Sequence, residues 1–450
     1  MIRNACAVVA AAFGLTVITG PGALAQSLED TLVSAYESNP ILASQRARLR
    51  QTQEGVIQAQ AARLPTVSAN ADISEQELWG QAFNARNGDI GYGVSVSQSL
   101  YAGGRISGTI DAARARVEAG VQNLRTTEQG VLLDAVAAHA EVVRDQQIIS
   151  IRSNNVDVLN QQLSAARDRF EVGEITRTDV AQAEARLSGA RAQLSAAQAA
   201  LAASRARYAR VTGVDPVDPD AAGPVADLPG EFADAAEIAL SNNPELLAAQ
   251  FIEIAATRGI DVARGAMRPD VGVSASVSEG RASDFSGQPA GVATVRAQVS
   301  MPIFTGGLNR SRVREARAAA DEARLSEMTA RRQVVEGVTN AWNNYLAAQA
   351  VIESSRQAVR ANEIAFEGVE QEAFVGLRTT LDVLNAEQEL LNSRLELVRS
   401  ERDLTVTSYA LLQAMGLLHA EALALPVGEG EGASDPEAAR GPNFDFTPWN

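Results

Sequence analysis

The stretch Leu100-Tyr101-Ala102-Gly103-Gly104 recurs 203 positions later as Ile303-Phe304-Thr305-Gly306-Gly307. Each copy joins an alternating segment to a long helical pattern, so each glycine pair predicts a strand-to-helix turn. Several landmarks at a near-constant offset indicate that the chain contains one structural unit twice. The other repeated landmarks are Asn39-Pro40 with Asn243-Pro244, Pro65 with Pro269, and Val172-Gly173 with Val375-Gly376.

The duplication predicts two structural repeats with the same order of elements. They cover residues 26–213 and 231–418, and a linker rich in Pro, Asp and Gly joins them at 214–230. An acidic, Gly/Pro-rich tail follows at 419–450. Each repeat begins with a helix of moderate length, predicted from about Leu28 to Ala62 and from about Phe232 to Ala266. Proline ends each of these helices because it lacks an N–H and clashes with the preceding turn.

Alternation with a period of two predicts two strands in each repeat. Strands of this length suit a tilted crossing of a membrane, which takes about 9–11 residues. Polar segments at Ser74–Ile90 and Glu279–Gly291 are predicted as long loops, and outer-membrane barrels carry their long loops on the extracellular side. The predicted strands are Thr66–Ile73, Gly91–Leu100, Val271–Val277 and Val295–Met301.

Long helices follow the strands. The first is predicted from Gly104 to about Phe170, on the order of 100 Å at ~1.5 Å per residue. Gly173 and Gly376 predict helix-to-helix turns, and a shorter helix with a seven-residue repeat follows each turn. Such a repeat is typical of a coiled coil, although an ordinary core stripe is the alternative. The repeated positions are Val180, Leu187, Leu194, Leu201 and Tyr208, with Ala183, Ala190, Ala197, Ser204 and Val211; then Val383, Leu390, Leu397, Leu404 and Leu411, with Ala386, Ser393, Ser400, Thr407 and Ala414.

The first 25 residues predict export across the inner membrane. Arg3 precedes an apolar run from Ala5 to Ile18, and Ala23-Leu24-Ala25 has the small-x-small pattern of a signal-peptide cleavage site. Cys6, the single cysteine, lies inside this segment, and no lipobox surrounds it, so we expect no lipid anchor. The mature chain then has no thiol, which excludes disulfides and thiol catalysis.

Composition argues against several classes of function. The formal net charge is −16 and every basic residue is arginine, so nucleic acid is an unfavourable partner. His139 and His419 stand alone and are interpreted as helix-surface residues, without a metal role. The sequence contains no phosphate loop, nucleophile–base set or Rossmann glycine pattern. We therefore predict a protein that is not an enzyme, has no cofactor and draws its energy from a partner.

Four strands per chain are too few to close a barrel. An open strand edge in lipid leaves backbone groups unpaired at a cost of several kcal/mol each, and single-chain bacterial barrels have at least about 8 strands. The chain must therefore oligomerise to insert into the membrane. Two copies give a barrel filled by its own side chains, and three copies give one that encloses a pore. The very long helices favour the wider solution.

These residues resemble the TolC-type outer-membrane factor family over essentially the whole mature chain. The duplication, the two Asn-Pro steps, the 300–307 turn and the run from Val375 to Leu384 carry the resemblance. It implies a mainly α-helical protomer with a small β part, three of which form a twelve-stranded barrel in outer-membrane lipid, continued by an α-helical coiled-coil barrel in the periplasm. The implied partners are a periplasmic adaptor (a membrane fusion protein) and an inner-membrane ABC exporter or RND-type pump.

The resemblance also implies a gate at the periplasmic end. Asp382 is then expected at a constriction, once per protomer, with Asn385 where the family pattern has a second acid; this change should weaken cation block. Asp179 and Arg378 resemble the family's latch, an ion pair that holds the inner coil closed. The alternative is that Asp179 and Asp382 only cap the helices that begin there, since Asp is a favoured N-cap residue.

Two other classes of function compete with the passive duct. A periplasmic coiled-coil adaptor that does not span the membrane explains the helices but not four strands in matching positions. For an enzyme on a helical scaffold, no residue set suggests the chemistry. Within the duct interpretation, type I secretion of polypeptides competes with drug efflux. The run from Leu28 to Leu32, together with Asn39-Pro40, resembles the type I secretion branch.

Overall fold

A computed structural model describes residues 26–79, 84–282 and 290–427 of the chain. The proposed signal peptide, the tips of both predicted loops and residues 428–450 of the tail lie outside these residues. The chain is mainly helical, with one small antiparallel sheet, and every element of the first half has a counterpart in the second. In the first half these are α1 Leu28–Ser38, α2 Pro40–Ala61, β1 Thr66–Trp79, β2 Asn84–Ala102, α3 Arg105–Glu171 and α4 Arg177–Thr212. In the second they are α5 Phe232–Asn242, α6 Pro244–Gly265, β3 Asp270–Ala282, β4 Ala290–Ser300, α7 Leu308–Phe374 and α8 Thr380–Ala414.

The single helix predicted at the start of each repeat is wrong, because Asn-Pro divides it in two. Asn39 is extended, with ψ 121°, and its side chain accepts a hydrogen bond from the N–H of Ile41. Proline disfavours the helical conformation of the residue before it but suits the first helical position. Asn243 does the same in the second half, with ψ 120°. The Asn-Pro step therefore ends one helix and caps the next.

The four strands form one sheet in the order β1-β2-β3-β4, all antiparallel. The strands are longer than predicted: β1 reaches Trp79 and β2 begins at Asn84, so most of the predicted loop Ser74–Ile90 is paired. Backbone pairing continues there although the side chains have become polar. Among the described residues, β1 and β4 each have a partner strand on one side only, so the sheet has two open edges.

The two long helices are equal in length. α3 and α7 each contain 67 residues, which is about 100 Å. Each turns back at a glycine into a shorter partner, so that α3 packs along α4 and α7 along α8. The predicted small-residue positions of α4 are all buried, as coiled-coil packing requires; they are Ala183, Ala190, Ala197, Ser204 and Val211.

Helix α8 differs from the predicted register. A second stripe, one residue further along than the predicted one, is buried, because α8 packs on α3 as well as on α7. Its members are Leu384, Leu391, Val398, Thr405 and Leu412. One heptad stripe describes a helix with one partner, so a helix with two partners needs two stripes.

The largest core cluster lies where the linker and the end of the second repeat meet the middle of the long helices. Leu132, Val136, Val338 and Leu411 are fully buried there, and α1 and α5 add apolar side chains. The linker crosses this region, where the Oγ1 of Thr405 donates to the carbonyl oxygen of Ala222 at 3.1 Å. Residues 419–427, which the sequence places in the tail, pack against the same cluster through side chains such as that of Leu425. The start of the tail is therefore part of the folded unit.

Candidate functional site

The two helix-to-helix turns form one end of the helical region. Gly173 and Gly376 lie in these turns with φ 82° and 81°, a left-handed conformation that glycine adopts without strain. The helices that follow begin at Arg177 and Thr380, so both turns have the same length and geometry. This end of the molecule carries the residues of the predicted gate.

Asp179 and Asp382 occupy equivalent positions in two capping boxes. Thr379 Oγ1 and N–H donate to the Asp382 carboxylate at 2.8 and 3.0 Å, and the N–H of Asp382 donates back to Thr379 Oγ1 at 3.2 Å. Thr176 and Asp179 repeat the arrangement. The threonine is thus the N-cap in each box, and the aspartate contributes to the cap from the third helical position instead of occupying the N-cap position itself. These hydrogen bonds lower the pKa of both carboxyl groups, and the backbone bond contributes most.

The structure places Arg378 beside an acid of its own hairpin. Its Nε donates to Glu372 Oε2 at 2.8 Å across the Gly376 turn. This ion pair raises the pKa of Arg378. Among the described residues, no ion pair joins Arg378 to Asp179. Within a single chain, the two predicted latch residues are therefore engaged elsewhere, and the latch between them stays a prediction.

Asn385 connects the two halves of the chain at this end. Its Oδ1 accepts a hydrogen bond at 3.1 Å from Nη2 of Arg186, which lies on α4. Both side chains are exposed. Asn385 therefore contacts α4. Asp382 lies less than one helical turn before it, at the start of α8.

Sequence reasoning missed Glu387, a buried carboxyl group close to the predicted gate. Its side chain points from α8 towards α3, where Asn155 Nδ2 donates to Oε1 at 2.9 Å. Burial raises the pKa of Glu387 to about 7, and the hydrogen bonds from Asn155 and Gln162 oppose this rise only in part. The second stripe of α8 could have revealed this burial, because Glu387 follows Leu384 by three residues and therefore lies on the same face of the helix.

The interpretation of His139 as a surface residue is wrong. His139 is fully buried, with Thr31 Oγ1 2.8 Å from Nδ1 and the carbonyl oxygen of Asp220 2.8 Å from Nε2. Tyr208 OH lies 2.9 Å from the same Thr31 oxygen. A carbonyl oxygen only accepts, so Nε2 carries the proton. Burial lowers the pKa of His139, which keeps the ring neutral. The network ties α1, α3, α4 and the linker together.

The strand-to-helix turns have the same backbone but different surroundings. Gly103 and Gly104 have φ 64° and 89°, and Gly306 and Gly307 have φ 59° and 87°. A Cβ added at Gly103 would overlap the carbonyl oxygen of Gly265 on α6, whereas one added at Gly306 would meet nothing within 4 Å. The first turn is therefore packed against the second half, and the second turn is open.

Neither a membrane-spanning helix nor a metal cluster is found in the described residues. Within 26–79, 84–282 and 290–427, every helix lacks the combination of length and apolarity that a membrane crossing requires. Over the same ranges, His, Cys, Asp and Glu side chains form no group of three or more suited to a metal ion.

The four-stranded antiparallel sheet thus continues through glycine turns into helical hairpins of about 100 Å. The family model "Outer membrane efflux protein" matches residues 31–214 and 235–417, which are the two repeats. The chain therefore belongs to the outer membrane efflux protein family. As in that family, its place is the outer membrane and its function is export.

Individual relatives agree with this assignment. The outer membrane efflux protein BepC of Brucella suis is 36% identical over 417 residues, which cover 92% of this chain and 90% of BepC. The outer membrane protein TolC of Vibrio cholerae is 27% identical over 407 residues, 88% of this chain and 91% of TolC. The solved structure of VceC from Vibrio cholerae superposes with a TM-score of 0.72 at 22% identity and covers 86% of this chain and 96% of VceC. This last likeness concerns the fold alone.

Proposed function

We propose that three copies of this chain form the passive exit duct of a tripartite export system. In this assembly the four strands of each copy contribute to a twelve-stranded barrel in the outer membrane. The helices continue the barrel as a tunnel into the periplasm. A periplasmic adaptor and an inner-membrane ABC exporter or RND-type pump supply the cargo and the energy.

The proposal rests on the contacts between the two halves. One set of these contacts is present within the chain, and the equivalent set that the duplication predicts is absent among the described residues. β2 pairs with β3, and α3 packs against α6 and α8. By the duplication, the counterparts are β4 with β1, and α7 with α2 and α4. Among the described residues, no comparable contact exists between these elements within the chain. A neighbouring copy, placed as the second half is placed on the first, provides all of them at once.

This arrangement is head-to-tail, so it must close into a ring. Two copies bring eight strands, whose interior side chains fill the barrel, whereas three bring twelve and leave a pore. A tunnel for cargo favours three. Closure also pairs the backbone groups of β1 and β4, each of which would cost several kcal/mol if left unpaired in lipid.

Two measurements test the duct. The protein is expected in the outer-membrane fraction, and purified protein is expected to give discrete conductance steps in planar lipid bilayers. Recovery wholly in the soluble periplasmic fraction would contradict the proposal and favour a non-spanning coiled-coil adaptor. Crosslinking in cells followed by co-purification should identify the adaptor and the pump. The nature of the pump then distinguishes type I secreted polypeptides from small molecules as cargo.

We further propose a gate at the Gly173 and Gly376 end of the helices. Asp382 from three copies would form a carboxylate ring around the axis, with Asn385 less than one helical turn further along α8. Low pKa values keep these carboxylates charged, which supports cation binding. We expect Asp382→Ala to reduce block by divalent cations from the periplasmic side, and Glu174→Ala, which removes an exposed carboxylate from the other turn, serves as the control. Equal block in Asp382→Ala and the wild type would show that the ring lies elsewhere.

The latch proposal requires Arg378 to leave Glu372 and to meet Asp179 when copies assemble. An exposed pair of this kind contributes only ~0–1 kcal/mol, so a few such links can hold a gate that a partner still opens. We expect Asp179→Ala combined with Arg378→Ser to raise single-channel conductance. Conductance equal to that of the wild type would count against the latch.

A further inference from the structure

The edge strands β1 and β4 carry one unpaired charge each on the same face of the sheet. Asp72 lies on β1, opposite Gly91 of β2, and Arg296 lies on β4, opposite Ser274 of β3. Both side chains are exposed, and within the described residues neither forms an ion pair or a hydrogen bond with another side chain. Opposite charges without partners at the two open edges suggest that they meet when the edges join.

The duplication fixes how the edges should join. β1 maps onto β3 with an offset of 204 and β2 onto β4 with an offset of 203. The pair Thr66–Ser97 in the first half then maps onto Asp270–Ser300, which is the pair observed in the second half. The register is thus the same in both halves, so the offsets can be applied to the pair between them.

Between the halves, Gly93 of β2 lies opposite Ser278 of β3. Adding 203 to Gly93 gives Arg296 on β4, and subtracting 204 from Ser278 gives Ser74 on β1. The equivalent pair is therefore Arg296 of one copy opposite Ser74 of the next. Gln298 then lies opposite Asp72, and Ser300 opposite Asn70. A slip by one residue would turn the polar face of β1 to the other side, which makes the register strongly specified.

We propose that β4 of one copy pairs with β1 of the next in the register Arg296–Ser74, so that Arg296 forms an ion pair with Asp72 of the neighbouring copy. This inference rests on the proposed ring. Diagonal neighbours on one face of an antiparallel pair lie about 7–8 Å apart, which a long side chain spans. Three such pairs then link the copies on the polar face, which lines the pore.

The opposite face of the sheet supports the same register. It places Ala297 opposite Ile73 and Val299 opposite Ala71 of the next copy. Ile73 and Val299 are 83% and 69% exposed in the single chain. At these positions the apolar face therefore continues across the junction, as a lipid-facing surface requires; beyond them, Glu75 of the next copy comes opposite Val295.

Cysteine pairs test the register, because Cys6 is the single natural cysteine and is replaced by alanine for this purpose. In the full chain, Asn70→Cys with Ser300→Cys should form a disulfide between copies, because the positions are directly opposite. Ser68→Cys with Ser300→Cys, and Ser74→Cys with Gln298→Cys, test registers shifted by two residues in either direction. None of these substitutions changes Asp72 or Arg296.

Non-reducing gels distinguish a failure of the proposed register from a failure of the proposed ring. Crosslinked trimers from the 70/300 pair, with weaker crosslinking from the other two, are the expected result. Trimeric particles in which a shifted pair crosslinks best, or in which no pair crosslinks, would overturn the register. Particles that contain one copy would instead overturn the proposed ring.

Exchange of the charges tests the ion pair itself. Asp72→Arg and Arg296→Asp should each lower the temperature at which trimers dissociate on gels. The double variant Asp72→Arg with Arg296→Asp should recover most of the loss, because the opposite charges face each other again. Effects of the two single variants that simply add would show that the side chains do not interact.

Discussion

Helix α3 and helix α7 have the same length and the same neighbours within their own half, but the other half covers α3 and not α7 among the residues that the structure describes. α6 and α8 pack on α3, whereas within the same ranges no element of the first half packs in this way on the equivalent faces of α7. The turns at their starts show the same contrast, since a Cβ added at Gly103 would overlap Gly265, whereas one added at Gly306 would meet no described atom within 4 Å. The two halves therefore have the same order of elements, but their long helices have different packing neighbours. The simplest physical reason is that the missing contacts belong to a second copy.

The cores of the two halves differ in polarity as well. The hydrogen-bonded set Thr31, His139 and Tyr208 in the first half corresponds by offset to Ala235, Trp342 and Leu411 in the second. The first half thus contains a polar network where the second half is apolar. The linker explains the difference, because the carbonyl oxygen of Asp220 needs a donor and His139 provides it at 2.8 Å.

The largest effect is expected from alanine at the two glycine turns. Gly103→Ala combines a positive φ with an overlap against Gly265, so it should destabilise the protomer by on the order of 2–5 kcal/mol. Gly306→Ala carries only the conformational strain, about 1–2 kcal/mol, because its surroundings are open. Urea denaturation of both variants measures the difference. Equal losses would show that the two turns are equally packed.

Assembly is expected to depend on the bare face of α7. Leu325 is 62% exposed, whereas its counterpart on α3, Gln122, is 7% exposed. Leu325→Glu should leave the protomer folded and reduce the trimer fraction by roughly tenfold or more, because a charge would be buried without a partner. Ser326→Glu is the matched control, since its counterpart Asn123 is exposed. Size-exclusion chromatography with light scattering gives the trimer fraction, and undiminished trimer in Leu325→Glu would exclude this face as an interface.

The polar network should stabilise the first half only. Thr31→Ala removes the hydroxyl group that hydrogen-bonds to Tyr208 OH and His139 Nδ1, and a buried polar group left without a partner costs about 1–3 kcal/mol. Thr31→Ser keeps the hydroxyl group and should lose much less. Thermal unfolding of the two variants measures the contrast, which would vanish if the network made no net contribution.

A pH dependence of stability is expected from the buried carboxyl group of Glu387. The folded chain holds a proton on Glu387 up to its pKa of about 7, whereas the unfolded chain releases it near the ordinary value of 4.5. The stability gained from the buried neutral carboxyl is thus complete below pH 4.5 and is lost as pH rises through 7. Glu387→Gln should therefore be more stable than the wild type at pH 8, by on the order of 1–3 kcal/mol, and similar to it at pH 5.

Glu184→Gln is the control for this experiment. Glu184 is exposed and pairs with Arg167 at 2.6 Å, so no buried carboxyl group is removed and the substitution should bring no gain in stability at pH 8. Equal pH profiles for Glu387→Gln and the wild type would show that Glu387 is solvated in solution.

The smallest effect is expected at the capping boxes, where the halves are alike. Thr176→Ala and Thr379→Ala should each cost about 1 kcal/mol, because each removes one side-chain cap from the same type of turn. Thr→Ser at either position should restore most of the loss. Hydrogen exchange at the first turn of α4 and α8 measures both, and unequal losses would show that only one of the turns is supported by further contacts.

Much of the fold could be predicted from sequence because its determinants are local. The glycine pairs and the helical runs mark the long helices within a few residues, and the period-two segments locate the central part of each strand. The division of the first helix at Asn39 depends on one proline, whose effect outweighed the helical pattern on both sides. The ends of the strands were missed because backbone pairing extends beyond the alternation of side chains.

The candidate site was less accessible to sequence reasoning because its groups are defined by their neighbours. Asp382 could be located, but its threonine cap and the ion pair of Arg378 with Glu372 depend on the turn geometry. His139 and Glu387 are buried by helices far away in sequence, and a pattern within one helix does not report such partners. The bare faces of α7 became visible only when they could be compared with α3.

The number of copies in the particle tests the central claim most directly. Native mass spectrometry of the intact protein, extracted from outer membranes in mild detergent, counts the chains in each particle. Three chains per particle are expected, because three sets of four strands close a barrel wide enough for a pore. A particle of one chain would contradict the ring, and a particle of two would contradict the open duct.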